Sequence, residues 1–438
     1  MSREQLLNRK LHWGNASNRN AKDLLMIKKY KIKERNIFVN TVVIITACFL
    51  FFQCATTNTQ RASGDTDISA KWIDAHLQEA AKQYKVLAQK VPGGVMPRSF
   101  TNDTLRTCTS ENWTAGFYPG TLLYLYENTK DEILYNETLK KIKLMEKEQY
   151  NKGTHDLGFM MYCSYGNLNR ITPNEEYKKI LINSARSLAT RFNPTVGCIR
   201  SWGRSNDTTM FRVIIDNMMN LELLFWAAKA TGDSSLYNIS VTHANTTLQN
   251  HFRQDNSSYH VVVYNPQTGN VMRKETAQGA ADASAWARGQ SWGLYGYTLM
   301  YRETKDKKYL DQAQRIAAFI LNHPNLPVNK IPYWDYNAPG IPNTYRDASS
   351  ATIMASALME LAGYSTGDVA KKYIATVETI LFTLSAPEYK AAIGENGGFI
   401  LKHSVAHLPR NSEVDSPLPY ADYYYTEAMM RYKKYLRL

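Results

Sequence analysis

One piece of punctuation recurs along this chain and limits what it can fold into. Thr129-Lys130-Asp131, Thr231-Gly232-Asp233, Thr304-Lys305-Asp306 and Thr366-Gly367-Asp368 each close one apolar-periodic run and open another; Thr172-Pro173-Asn174 is a looser copy. A large apolar residue follows each turn, among them Leu134, Tyr177, Leu236, Tyr309 and Tyr373. Such a turn ends a helix, caps the next with Asp or Asn, and packs the new helix back on the old one. Five copies at intervals of some tens of residues therefore predict an α-hairpin repeat.

The spacing predicts helices entering these turns from near 114, 156, 217, 285 and 346, and leaving them from near 132, 175, 234, 307 and 369. A first helix over 69–89, with Trp72, Ile73, Leu77, Ala80, Tyr84 and Leu87 at helical spacing, and a last over 420–436 bring the total to twelve. Entering helices are apolar and rich in small residues, as in ASSATIMASALMELAG, whereas leaving helices carry more charge, as in VAKKYIATVETILFTL. That alternation of inner and outer positions favours an all-α (α/α)6 barrel of six hairpins over an open α-solenoid. Only SSYHVVVYNPQTGNVM (257–272) reads as strand, a small inserted β-hairpin around a Pro/Gly turn.

The 438 residues divide into an N-terminal segment (1–54), a linker (55–66) and one catalytic-size domain (67–438). Within the first, KKYKIKER precedes the uncharged run IFVNTVVIITACFLFFQC and a polar stretch, the order of an export signal. A transmembrane anchor is the alternative by length. Cys54 closes the run as a candidate lipidation site, with Cys48 the competitor, so the expected location is periplasmic, on a lipid anchor if Cys54 is modified. This segment holds ten Lys or Arg against three Asp or Glu, a net +7 of the chain's +13, leaving +6 for the rest. No basic cluster with interleaved aromatics suggests nucleic acid. Beyond Cys54 only Cys108, Cys163 and Cys198 remain, without metal-ligand spacing, so neither a metal site nor a disulfide framework is expected.

If all inner helices point one way, the residues preceding them share one mouth. They are Trp113; His155 and Asp156; Asp216; Trp286, Arg288 and Trp292; Tyr345, Arg346 and Asp347; Tyr420 and Asp422. Aromatic faces stack on sugar rings and arginine forks match carboxylate and sulfate, so this composition suits an acidic carbohydrate. Each residue also has a plain structural reading: an Asp opening a helix is a cap, and a Trp is core. His243 and His251, on an outer helix, are taken as structural, while His260 interrupts the repeat in the hairpin and is a candidate for the working face.

With these residues in order, the chain resembles the unsaturated glucuronyl hydrolases of glycoside hydrolase family 88. The resemblance rests on ENWTAGFYPG, HDLGF, IIDNMMN, SYHVVVYNPQTG, TAQGAADASAWARGQSWGLYG, YRDASSAT and YADYYYTEA, in that sequence from Trp113 onward. The related unsaturated rhamnogalacturonyl hydrolases share the barrel but typically read R-G-N-G-W where this chain has Arg288-Gly289-Gln290-Ser291-Trp292. The resemblance implies Asp216 as catalytic acid/base, Asp156 as a second essential carboxylate, and Trp113, His260, Gln278, Arg288 and Trp292 as substrate contacts. It implies removal of a 4,5-unsaturated uronic acid from lyase-generated oligosaccharides by hydration of the C4–C5 bond, with no cofactor. A second carboxylate beside Asp216 would raise its pKa and keep it protonated near neutrality. An inverting glycosidase on the same barrel and a non-catalytic glycan-binding lipoprotein are the rival functions.

Overall fold

The repeated turns form by one set of hydrogen bonds. In the computed structural model, which describes residues 68–204 and 206–437, helix α2 (Phe117–Thr129) ends with Thr129 Oγ1 donating to the Leu125 carbonyl at 2.7 Å and accepting from Asp131 N at 3.2 Å. Asp131 then caps α3 (Glu132–Met145) by accepting from Ile133 N at 3.0 Å. The residue between them must turn through positive φ: Lys130 at 58°, with Gly232 at 76° and Lys305 at 58° in the equivalent turns. Glycine adopts this conformation without the Cβ clash that a lysine meets. The copies at Thr231-Gly232-Asp233 and Thr304-Lys305-Asp306 repeat the same bonds. The copy at Thr366-Gly367-Asp368 does not. There the entering helix has stopped at Ala362 and the leaving one begins at Gly367, with Thr366 as its N-cap residue and Asp368 already inside the helix.

The helices follow in the predicted alternation. Outer positions are α1 (Ala70–Lys90), α3, α5 (Glu175–Ala189), α7 (Ser234–Asn250), α9 (Lys307–Asn322) and α11 (Gly367–Ser385). Inner positions are α2, a π-helical segment (Gly158–Gly166) running into α4 (Asn167–Ile171), α6 (Leu221–Thr231), α8 (Ala287–Thr304), α10 (Ala348–Ala362) and α12 (Pro419–Tyr435). Closure is settled by α12, which packs on both α10 and α2. Small residues bring the inner helices close: Ser291 Oγ of α8 donates to the Ser350 carbonyl of α10 at 2.9 Å. A Cβ on Gly116 would fall 2.2 Å from the Met160 carbonyl oxygen of the π segment.

Strand structure is more extensive than the one hairpin read from sequence. β1 (Met96–Thr101) and β2 (Thr104–Cys108) form a hairpin where only a loop was expected, and Phe192–Asn193 pairs with Cys198–Ile199 as β3 and β4. β5 (Phe211–Ile214), β6 (Val261–Tyr264) and β7 (Val271–Glu275) make an antiparallel three-stranded sheet. Val213 and Ile214, just ahead of the helix expected from near 217, are thus the partners of Val262 and Val261. The register matters for function. Ile214 and Glu275 both pair with Val261, so the chain beyond β5, before β6 and beyond β7 emerges at one end of the sheet, carrying Asp216, His260 and Gln278 respectively.

Residues 67–438 form one compact unit. The segment expected to act as an export signal, with Cys48 and Cys54, lies outside the described residues; among those described, no helix is long and apolar enough to cross a membrane.

Candidate active site

At the N-terminal ends of the inner helices lies a cavity of about 270 Å³. Trp113, Asp156, Asp216, Gln278 and Arg288 line it, so five of the seven residues singled out from sequence meet there. His155, Phe159, Trp202, Tyr420, His407 and Arg410 are also in its wall, and Arg98 and Glu413 stand at its edge as an ion pair 2.5 Å apart.

Asp216 occupies a 3-10 turn (Ile215–Asn220) between β5 and α6. The N-cap position of this turn is Ile214, Asp216 lies inside the turn, and its Oδ1 is buried without a hydrogen-bond partner, which removes the reading of this residue as a helix cap. A carboxylate so buried, with one oxygen lacking any partner, is costly unless it holds a proton. Burial pushes the Asp216 carboxyl up to about 7; Arg288 pulls against that rise and the charge of Asp156 adds to it. The expected cause, a second carboxylate, is therefore present but secondary to burial. Asp156 is fixed by Thr154, whose Oγ1 donates to Oδ2 at 3.2 Å and accepts from Asp156 N at 3.1 Å. His155 Nε2 lies 3.3 Å from Asp156 Oδ1, and burial of this ring lowers its pKa, so it stays neutral.

Arg288 is the hub of the wall. Its Nη1 donates to Asp347 Oδ2 at 3.1 Å and to the Val405 carbonyl, and its Nη2 to Gln278 Oε1 and the Ala406 carbonyl, each at 2.6 Å. Both terminal nitrogens are thus committed to the protein, and the guanidinium also lies 4.7 Å from the Trp286 ring centroid and 5.4 Å from that of Tyr420. An open fork for a substrate carboxylate is not what this arginine presents; it ties the 403–407 loop and Gln278 to the barrel. Because Gln278 Oε1 accepts from Arg288, its amide N–H groups are left for the cavity.

Two expected contacts are displaced. Trp292 is fully buried and does not line the cavity: its ring packs 5.0 Å from Phe159 and 5.4 Å from Tyr424, one layer behind Trp113, which itself lies 5.7 Å from Phe159. The helical turn between Arg288 and Trp292 carries the indole down into the barrel. His260 is likewise behind the wall. Its Nδ1 accepts from Ala277 N at 3.1 Å and Gln278 N at 3.2 Å, and its ring packs on Trp286 and edge-on to Trp202. It positions Gln278 rather than reaching the cavity. Asp347 caps α10, and Asp422 accepts from Tyr84 Oη, Ile400 N and Leu401 N, so these two carboxylates are structural. His243 and His251, taken as structural, bond Ile199 N and the Val213 carbonyl. Arg98, Trp202, His407 and Arg410 went unread because they sit outside the helical repeat, Arg98 in β1 and the others in the connections; their aromatic and basic side chains were the available signal.

The family model for Glycosyl Hydrolase Family 88 matches residues 87–437. An unsaturated glucuronyl hydrolase of Formosa agariphila is 41% identical over 396 residues, which is 90% of this chain and 97% of that protein. The unsaturated chondroitin disaccharide hydrolase of Streptococcus pneumoniae is 32% identical, across 74% of this chain and 82% of its own. A crystal structure of an unsaturated glucuronyl hydrolase specific for heparin superposes with a TM-score of 0.81 at 48% identity, covering 84% of this chain and 99% of the other. The barrel, the seven motifs and these likenesses agree: the chain belongs to glycosyl hydrolase family 88.

Proposed function

We propose that the cavity at the mouth of the barrel binds the 4,5-unsaturated uronic acid at the non-reducing end of lyase-generated glycosaminoglycan oligosaccharides, and that Asp216 protonates it. The chain is a glycoside hydrolase, an unsaturated glucuronyl hydrolase. The observation that carries the residue roles is the buried Asp216 carboxyl, its Oδ1 without a hydrogen-bond partner and its pKa pushed up to about 7 by burial, in the same cavity as Asp156. Protonating a carbon of an enol ether needs an acid that is still protonated at neutral pH yet ionises readily, and this burial supplies one. Asp216 delivers its proton to C4; water adds at C5, giving its proton to the carboxylate; the resulting hemiketal opens and releases the second sugar. No displacement at the anomeric carbon occurs, so the spacing rules for retaining and inverting glycosidases do not apply. Trp113 offers a stacking face, Gln278 a pair of N–H donors, and Arg410 the positive charge that an acidic sugar meets at the rim.

The test is a panel of lyase-generated disaccharides assayed for loss of the ultraviolet absorbance of the double bond. Release of the second sugar with no loss of that absorbance would overturn the mechanism. We further propose, from the basic, apolar, polar order of residues 28–54, that the protein is exported to the periplasm and lipidated at Cys54. Mass spectrometry of the mature N-terminus checks it; an N-terminus retaining that segment would refute export by cleavage.

A further inference from the structure

The C-terminal ends of the inner helices surround a second cavity, of about 950 Å³, at the upper end of the roughly 300–1,000 Å³ common for ligand clefts. Its floor is charged but satisfied. Glu127 takes a two-pronged bond from Arg170 at 2.9 and 2.7 Å; Glu222 is paired with Arg302; Glu427 accepts from Tyr124, Tyr295 and Ser356. Helix C-termini favour cations, and Arg170, Arg302 and Arg431 meet that need while already holding carboxylates. Lys433 reaches Asp74 and Asn128.

Three further cations line the cavity in excess of these pairs: Lys130, Lys434 and Arg437. Among the described residues none of the three has a carboxylate partner, and Lys130 has only the face of Tyr126, 5.5 Å from its ammonium. Beside them stand two half-buried aromatic rings that also line the cavity, Trp226 and Tyr162, with centroids 6.5 Å apart. Satisfied acids, surplus bases and aromatic faces in one cleft of this size select an anionic ligand with flat apolar faces. A sulfated or uronic saccharide has both.

We propose that this cavity is a second binding site for an acidic oligosaccharide, with its anionic groups on Lys130, Lys434 and Arg437 and a sugar ring against Trp226 and Tyr162. The saccharide class rests on the reading of the catalytic mouth; the complement of charge and rings stands by itself. A cleft of this size takes a chain longer than a disaccharide, with several anionic groups spread over the three cations, and so holds the longer acidic saccharides on the enzyme.

A saturated heparin hexasaccharide, which lacks the double bond and is not a substrate, separates the two ends. Calorimetric titration of the whole protein should show one site that the unsaturated disaccharide does not compete for. The double variant Lys434→Glu/Arg437→Glu should weaken it about tenfold or more, and Trp226→Leu should weaken it as well. Turnover of the unsaturated disaccharide should be unchanged in both, which also shows that they fold. If Trp226→Leu does not fold, Tyr162→Leu takes its place. Competition by the disaccharide, unchanged affinity in the charge-reversed variant, or loss with charge reversal but not with the aromatic variants would each overturn the proposal. Failure of the catalytic reading would appear instead as no turnover of any unsaturated disaccharide.

Discussion

The two ends of the barrel treat buried charge in opposite ways. At the C-terminal end Arg302 bridges Glu222, Glu303 and Glu360, and Arg431 lies 2.8 Å from Glu360, so each carboxylate has a cation. At the N-terminal end Asp216 is just as enclosed and its Oδ1 has nothing to bond. Arg288, which could have neutralised it, is spent on Asp347, Gln278 and two carbonyls. Pairing holds a structure together, whereas an unpaired group stores free energy that only a proton or a substrate can release. The comparison teaches that the arrangement of the arginines, more than that of the acids, decides which end does chemistry.

The largest effect should come from Asp216→Asn. Asn preserves size and would serve as well as Asp were it only a cap, but it cannot donate the proton, so turnover should fall by about 10³-fold or more while substrate still binds. The absorbance assay and calorimetry with the disaccharide check the two halves; near-normal turnover would place the acid elsewhere. At the other end, Arg302→Met should leave Glu222 and Glu360 short of a partner. Allowing for its partial exposure, this should cost about 2–4 kcal/mol in denaturant unfolding, with kcat of the folded enzyme little changed.

The sign of Asp216's contribution offers a sharper test. Its carboxyl holds its proton up to about pH 7 when folded and releases it near 3.8 when unfolded. Folding is therefore opposed increasingly as pH rises between those values, and the full penalty is present above the higher one. Asp216→Asn, which cannot ionise, should match the native protein near pH 4 and exceed it at pH 8 by about 2–4 kcal/mol. Equal stability at both pH values would mean the carboxylate is not as isolated as its surroundings indicate. Asp156→Asn should have a smaller consequence: the alkaline limb of the pH–rate profile moves to lower pH, but stays well above the ordinary carboxylate range because burial is the larger cause. The smallest effect belongs to Trp292. Trp292→Phe should cost about 1–2 kcal/mol of packing and leave KM alone, whereas Trp113→Ala, in the cavity wall, should raise KM.

Much of this was legible in the chain. Turns built on Thr129, Thr231 and Thr304 carry their own hydrogen bonds within a few residues, so local sequence suffices to place the helices that flank them. Asp156, Asp216 and Trp113 lie at the mouth, as expected of residues just ahead of inner helices, whereas Asp347 and Asp422 in the same kind of position are taken up by backbone and side-chain bonds instead. Trp292 and His260 were misplaced. Whether a side chain lies in a wall or one layer behind it depends on packing between elements distant in sequence, such as Phe159 against Trp292 and Trp202 against His260. The strand over Phe211–Ile214 escaped because its partner, β6, lies some fifty residues on and its apolar run reads equally well as the start of a helix.

The π-helical segment Gly158–Gly166 bears on how this protein can change by descent. An i→i+5 ladder holds one more residue per hydrogen-bonded ring than an α-helix does. Deleting a single residue within it, Met161 for example, would let the segment relax to i→i+4 spacing, with each residue worth about 100° of rotation. Asp156, just upstream, would then be turned relative to α4 and to Asp216, although every side chain of the cavity remained. The relation between the two carboxylates is thus written in the length of the chain as well as in its letters. Substitutions in this buried segment act on packing, as at Gly158, where a Cβ would fall 2.5 Å from the Asn220 backbone, whereas an insertion or deletion of one residue would re-aim Asp156 itself.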